Sequence, residues 1–115
     1  MELKSRVSGS VAVLELTGRF DAYVAPPVDE WLERAAAADP AQVLVNLAGV
    51  TFVDSTALAT LVQAMRRCRQ QHGDLRLCGL QQPVRIIFDL TRLDRAFKIY
   101  PGEAEAVDSF GGSPA

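Results

Sequence analysis

The sequence predicts an α/β domain built on a small mixed sheet with helical cover. Short apolar segments with the two-residue period of strands alternate with segments of three-to-four-residue period. Two strands come first in succession, and a hairpin there makes one pairing antiparallel. The chain has 115 residues, 49% of them hydrophobic, which suits one domain with its own core.

Leu3 to Val7 and Val11 to Leu16 read as the hairpin strands, joined through Ser8-Gly9-Ser10. In the second, Val11, Val13 and Glu15 share one side, and Ala12, Leu14 and Leu16 the other. Gly18-Arg19-Phe20-Asp21 breaks the pattern. Pro26-Pro27 opens a helix, because proline is tolerated in a first turn where its missing N–H is not needed. Val28, Trp31, Leu32, Ala35 and Ala36 give that helix an apolar stripe, and Asp39-Pro40 stops it. Asp29 and Glu30 stand between the apolar positions as a solvated face.

Val43-Leu44-Val45 is the continuous apolar run of a strand buried on both faces. A loop is expected from Asn46 to Val53, leading to Asp54-Ser55-Thr56. Leu58, Leu61, Val62, Met65 and Cys68 then form the clearest helical stripe in the chain, with Arg66, Arg67 and Arg69 read as a solvated face. Gly73 is expected to end this helix, and His72 to complement its dipole. Leu75, Leu77 and Leu80 alternate as a strand, and Pro83 opens a helix through Val84, Ile87, Phe88 and Leu90. Phe97, Ile99 and Tyr100 read as a last strand, and Pro101 to Phe110 as a short helix. The domain is expected over residues 1–110, with 111–115 as a flexible tail.

Composition excludes several classes. Charged residues are 23% and the net charge is -2, which fits neither a disordered acidic tail nor a nucleic-acid-coating protein. No apolar stretch approaches the ~20 residues of a membrane span, and no signal-peptide pattern opens the chain, so a cytoplasmic protein is expected. Cys68 and Cys78 lack metal-ligand spacing, and the one histidine has no partner in ligand register, so no metal or cofactor is expected. There is no phosphate-binding glycine loop and no nucleophile–base constellation, hence no catalytic residue and no enzyme.

Phe52-Val53-Asp54-Ser55-Thr56-Ala57-Leu58 is the informative place. Asp, Ser and Thr are preferred helix caps, because a side-chain oxygen takes an orphaned backbone N–H. This cap lacks the glutamate or glutamine of a capping box, since Ala57 and Leu58 occupy those positions. A phosphoryl group on Ser55 would meet free N–H groups and the positive end of the helix, opposed by its neighbour Asp54. Small Ala57 and Ala59 leave the approach open to another protein.

The run from Val43 to Leu58 resembles the signature of the STAS family, the sulfate transporter and anti-sigma-factor antagonist domains. Leu16-Thr17-Gly18-Arg19-Phe20-Asp21 resembles the family's early glycine-to-aspartate turn, Leu75 to Leu80 its next strand, and Asp89 to Phe97 its closing helix and strand. The resemblance covers roughly residues 1–108, in the family's order. It implies a STAS-type single domain, with a mixed sheet of four to five strands and helices packed mainly on one face.

The resemblance also implies a free-standing anti-sigma factor antagonist. In that scheme the unmodified protein binds an anti-sigma factor and frees a sigma factor. The anti-sigma factor is itself a serine kinase that phosphorylates the antagonist with ATP, and a metal-dependent serine phosphatase reverses this. Ser55 matches the phosphoacceptor, with Thr56 as the second hydroxyl beside it. Asp21, Asp54, Ser55, Thr56 and Ala57 are the partner-binding residues this implies. Two positions depart from the pattern: Ala57 stands where many members have glycine, and Asn46 where many have aspartate. A different class of function also resembles the family, namely a subunit or scaffold of a lipid-transport ABC system or a stress-signalling complex.

Overall fold

The computed structural model describes residues 1–111; of the expected tail over 111–115, all but Gly111 lies outside them. Strands β1 (Glu2–Ser8) and β2 (Val11–Phe20) form the expected antiparallel hairpin, with Ser8 opposite Val11. Its two-residue turn carries Gly9 at φ 62°, a left-handed conformation that glycine adopts without the strain of an L-residue. Three further strands follow: β3 (Gln42–Val53), β4 (Asp74–Cys78) and β5 (Ile99–Tyr100). They add in parallel, and the spatial order β1-β2-β3-β4-β5 is the order of the sequence.

That monotonic order decides where the helices go. Right-handed crossovers that always step the same way across a sheet deliver their helices to the same face. Helices α1 (Ala25–Ala35), α2 (Ser55–Gln70) and α3 (Gln82–Leu90), with the short α4 (Leu93–Ala96), pack there. One continuous core joins Leu14, Leu16, Phe20, Val43, Val45 and Leu47 of the sheet to Val28, Leu32, Leu61, Met65, Val84 and Phe88 of the helices. Among the described residues only α5 (Glu103–Asp108) covers the opposite face, where Ala106 meets Val11, Val13, Leu44 and Cys78. The expected mixed sheet with helices mainly on one face is therefore what the chain forms.

Two expectations need correcting. The segment Asn46–Val53 is strand, not loop, and β2 continues through Gly18 to Phe20. Register shifts between Glu15 and Thr17 and between Gly18 and Arg19 insert extra residues into β3. Its buried positions, Leu47, Val50 and Val53, are accordingly three residues apart. A bulge breaks the two-residue period that sequence reading depends on while the pairing continues.

The end of α2 also differs in detail. The left-handed residue is His72, at φ 62°, and not Gly73. Gly73 N–H donates to the Cys68 carbonyl at 2.9 Å and His72 N–H to the Arg69 carbonyl at 3.3 Å, the paired bonds of a Schellman motif. Gly73 is needed for space: a Cβ there would lie 1.9 Å from the Ala41 carbonyl oxygen. His72 Nδ1 lies 3.0 Å from Asp39 Oδ1 on the surface.

The expected solvated arginine face does not hold for two of its three members. Arg67 reaches Asp29 on α1 at 3.4 Å. Arg69 donates to Asp74 at 2.9 Å and to the Ala96 carbonyl at 2.9 Å, joining α2 to β4 and α4. Arg66 is exposed as expected. Leu90 is 78% exposed instead of packed, and Leu80 lies beyond the end of β4. Phe97 ends α4 as a buried cap residue and is not part of a strand.

Candidate functional site

The pairing of β2 with β3 builds the site. The two strands are parallel and end in register, Phe20 opposite Val53. Whatever follows each strand therefore emerges side by side, at the carboxyl edge where open α/β sheets place their functional loops. Asp21 follows one strand and Asp54 the other, and Asp54 N–H still donates to the Phe20 carbonyl at 3.3 Å.

Asp54 is the hub. Its backbone is extended, φ -112° and ψ -177°, as an N-cap requires. One carboxylate oxygen, Oδ1, accepts from Ala57 N–H at 2.9 Å and caps α2. The other, Oδ2, accepts from Ala22 N–H at 3.0 Å, across to the loop after β2. That loop is held from within as well: Asp21 Oδ1 accepts from Tyr23 N–H at 3.1 Å, and its carbonyl accepts from Val24 and Ala25 at 3.1 and 3.0 Å. Arg19 approaches Asp21 at 3.9 Å and lies over the Phe52 ring at 4.0 Å.

Ser55 and Thr56 open α2 and both are exposed. No acidic residue occupies the first turn, so nothing but Asp54 answers its positive end. The structure therefore brings Asp21, Asp54, Ser55 and Thr56 to one edge. Ala57 is not on that surface: its methyl is fully buried in the core, and only its amide serves the site. The methyl thus points away from anything that approaches Ser55, whereas Ala59 is exposed beside the site. Asn46 lies within β3 and not at a strand end, where its side chain accepts from Ala48 N–H at 2.9 Å and donates to Glu103 at 3.1 Å.

Two contributors were missed in the sequence. Tyr23 stands 92% exposed beside Asp21, the most exposed large hydrophobic of the described residues. Ala22 supplies the amide that Asp54 grips. A lone aromatic ahead of a helix carries no signal that separates a surface position from a core one, and a backbone donor carries none at all. A shallow groove continues the surface between α1 and α2, lined by Ala22, Pro26, Asp29, Thr56, Thr60 and Gln63.

The cysteines belong elsewhere. Cys68 and Cys78 are buried, and burial pushes each thiol up to about 11, which keeps both protonated and unreactive at neutral pH. No helix among the described residues is long and apolar enough to cross a membrane.

The model of the STAS domain matches residues 2–106. The chain belongs to the STAS domain family. Its relatives place this STAS domain among the anti-sigma factor antagonists: it is 31% identical over 105 residues to an anti-sigma-B factor antagonist of Listeria monocytogenes, covering 91% of each chain. Solved structures agree in fold. An anti-sigma-factor antagonist domain protein from Planctomyces limnophilus superposes with a TM-score of 0.87 at 21% identity, over 94% of this chain and 97% of that one. The Bacillus cell fate determinant SpoIIAA in its phosphorylated form superposes with a TM-score of 0.73 at 20% identity, over 94% and 98%.

Proposed function

We propose that this STAS domain is a phosphorylation-switched anti-sigma factor antagonist acting in the cytoplasm. Unmodified, it binds an anti-sigma factor through Asp21, Asp54, Ser55 and Thr56, and the sigma factor held by that partner is released. The anti-sigma factor is also a serine kinase. It transfers the γ-phosphoryl group of ATP to Ser55 Oγ; the hydroxyl proton leaves to a base and ADP is released. A metal-dependent phosphatase then directs water onto the phosphorus, returning serine and inorganic phosphate.

The observation that carries this reading is the exposed Ser55 hydroxyl at the first position of α2, in a chain related over 91% of its length to an anti-sigma factor antagonist. Physical chemistry supports a switch there. A phosphoryl group adds about -1.5 to -2 charges in a patch that already holds Asp21 and Asp54. A partner fitted to the hydroxyl form must then desolvate a new dianion or let go.

Incubation with an anti-sigma kinase and ATP should give one phosphate per chain, at Ser55 by mass spectrometry, and Ser55→Ala should take up none. Phosphorylation of Ser55→Ala at Thr56 at the wild-type rate would move the acceptor to Thr56. Equal affinity of the phosphorylated and unmodified chains for the anti-sigma factor would overturn the switch.

A further inference from the structure

The two hydrogen bonds of Asp54 lead to a coupling between Ser55 and the loop after β2. We infer that Asp54 is a positioning residue: its carboxylate holds the Asp21–Tyr23 loop in the binding arrangement, and a phosphoryl group on Ser55 releases that loop. The inference rests on the proposed switch and adds the means by which one modified side chain alters the rest of the surface.

Each Asp54 oxygen has one task. Oδ1 caps α2 through Ala57 N–H, and Oδ2 reaches Ala22 N–H in the neighbouring loop. The loop's remaining bonds are local, from Tyr23, Val24 and Ala25 to Asp21 itself. They shape the turn but do not fix where it sits against α2. The loop's ends are fixed by the Phe20–Val53 pairing and by Val24 and Ala25 against the core, and between them the Asp54–Ala22 bond sets the placement of the exposed Tyr23 ring and of the groove wall that Ala22 shares with Thr56.

A phosphoryl group on Ser55 competes for the same resources. It carries more charge than a carboxylate and three strong acceptor oxygens. The N–H groups of the first helical turn have no acceptor within the helix, so they draw the phosphate to the end that Asp54 caps. Two anions then share one positive helix end, and like charges at adjacent residues repel. Asp54 swings away from the phosphate, and the bond to Ala22 is lost.

Asp54→Asn separates the two tasks. Asparagine is an N-cap as good as aspartate, but it has one acceptor oxygen where aspartate has two. Capping Ala57 leaves the amide –NH2 facing the Ala22 N–H, donor against donor. The experiment is amide hydrogen exchange by NMR on the whole labelled chain, in three forms: wild type, Asp54→Asn, and a chain with phosphoserine genetically encoded at position 55. Both altered forms should exchange at Ala22 about tenfold faster or more, the loss of a bond to a charged acceptor. In Asp54→Asn, Ala57 should keep wild-type protection, and the urea midpoint should fall by no more than the loss of the one Ala22 bond accounts for.

Unchanged Ala22 exchange in the phosphoserine chain would overturn the coupling, as would equal loss at Ala22 and Ala57 in Asp54→Asn. Neither result depends on a kinase or an anti-sigma factor. The coupling therefore fails independently of the switch, which the phosphorylation assay decides.

Discussion

At the scale of single residues, adjacent positions at the end of α2 meet opposite demands. His72 takes a left-handed conformation that costs an L-residue about 1–2 kcal/mol, with an exposed contact to Asp39 in return. His72→Gly should therefore raise stability by about 1 kcal/mol in urea denaturation. Gly73 lies against the backbone of Ala41, and no side-chain adjustment relieves a contact with a carbonyl oxygen. Gly73→Ala should destabilise by about 3 kcal/mol. Equal effects of the two substitutions would show that the terminus is not built as described. The two positions also mark a limit of sequence reading, which locates a helix stop at a glycine but does not say whether conformation or space requires it.

Asp54 carries a similar lesson. Its capping role was legible, because an Asp-Ser-Thr run before an apolar stripe is an N-terminal signal. Its second bond, to Ala22, was not, since the two residues are distant in sequence and meet only because β2 and β3 end in register.

At the scale of elements, α5 is held at its start by charge. Glu103 at its start pairs with Arg6 of β1 and accepts from Asn46 of β3, so one carboxylate ties the helix to two strands. The Arg6 guanidinium above all, and then the Asn46 amide, hold the Glu103 carboxyl below its usual range. A depressed folded-state value means the carboxylate favours the native state above its unfolded pKa, and this contribution fades as pH falls through the folded value. Stability measured from pH 7 down to pH 3 should thus decline less steeply in Glu103→Gln than in wild type. The same fall in both would show that Glu103 titrates alike in the folded and unfolded chain. Arg76, over the Phe110 ring at 4.4 Å, pins the far end of the helix, so α5 is anchored at both ends.

The elements divide by how far local pattern suffices. α1, α2 and α3 were legible because each keeps a helical period, and the first hairpin was legible as far as Leu16, while β2 runs on to Phe20 past the break at Gly18. β3 was shortened in the reading because its bulges replace that period midway, and α4 was missed because four residues span barely one turn. Arg67 and Arg69 look like a solvated face on a helical wheel, yet the neighbouring elements supply Asp29 and Asp74.

At the scale of the whole molecule, one core spans the helix face of the sheet and reaches every helix there. Trp31, the single tryptophan, sits half-buried on α1 against that core. Phe88 and Phe97 close its far end edge to face, their centroids 5.9 Å apart. A core without a dividing boundary should unfold in one step. Trp31 fluorescence and far-ultraviolet circular dichroism should therefore give coincident urea transitions. Phe88→Ala should shift both equally, by about 3–5 kcal/mol. A shift in only one probe would reveal a second cooperative unit.

The sequence by itself determined the class of the fold, the succession of strands and helices apart from the single turn of α4, and the place along the chain where a modifiable hydroxyl meets a helix start. These follow from periodicity and capping, which act over a few residues. Only the tertiary structure decided that Asp21 and Asp54 share an edge, that Ala57 faces inward, that Tyr23 faces outward, and that Asp54 grips both a helix and a loop. Each depends on parallel pairing between strands separated by a whole helix, and that pairing is set by burial across the entire sheet.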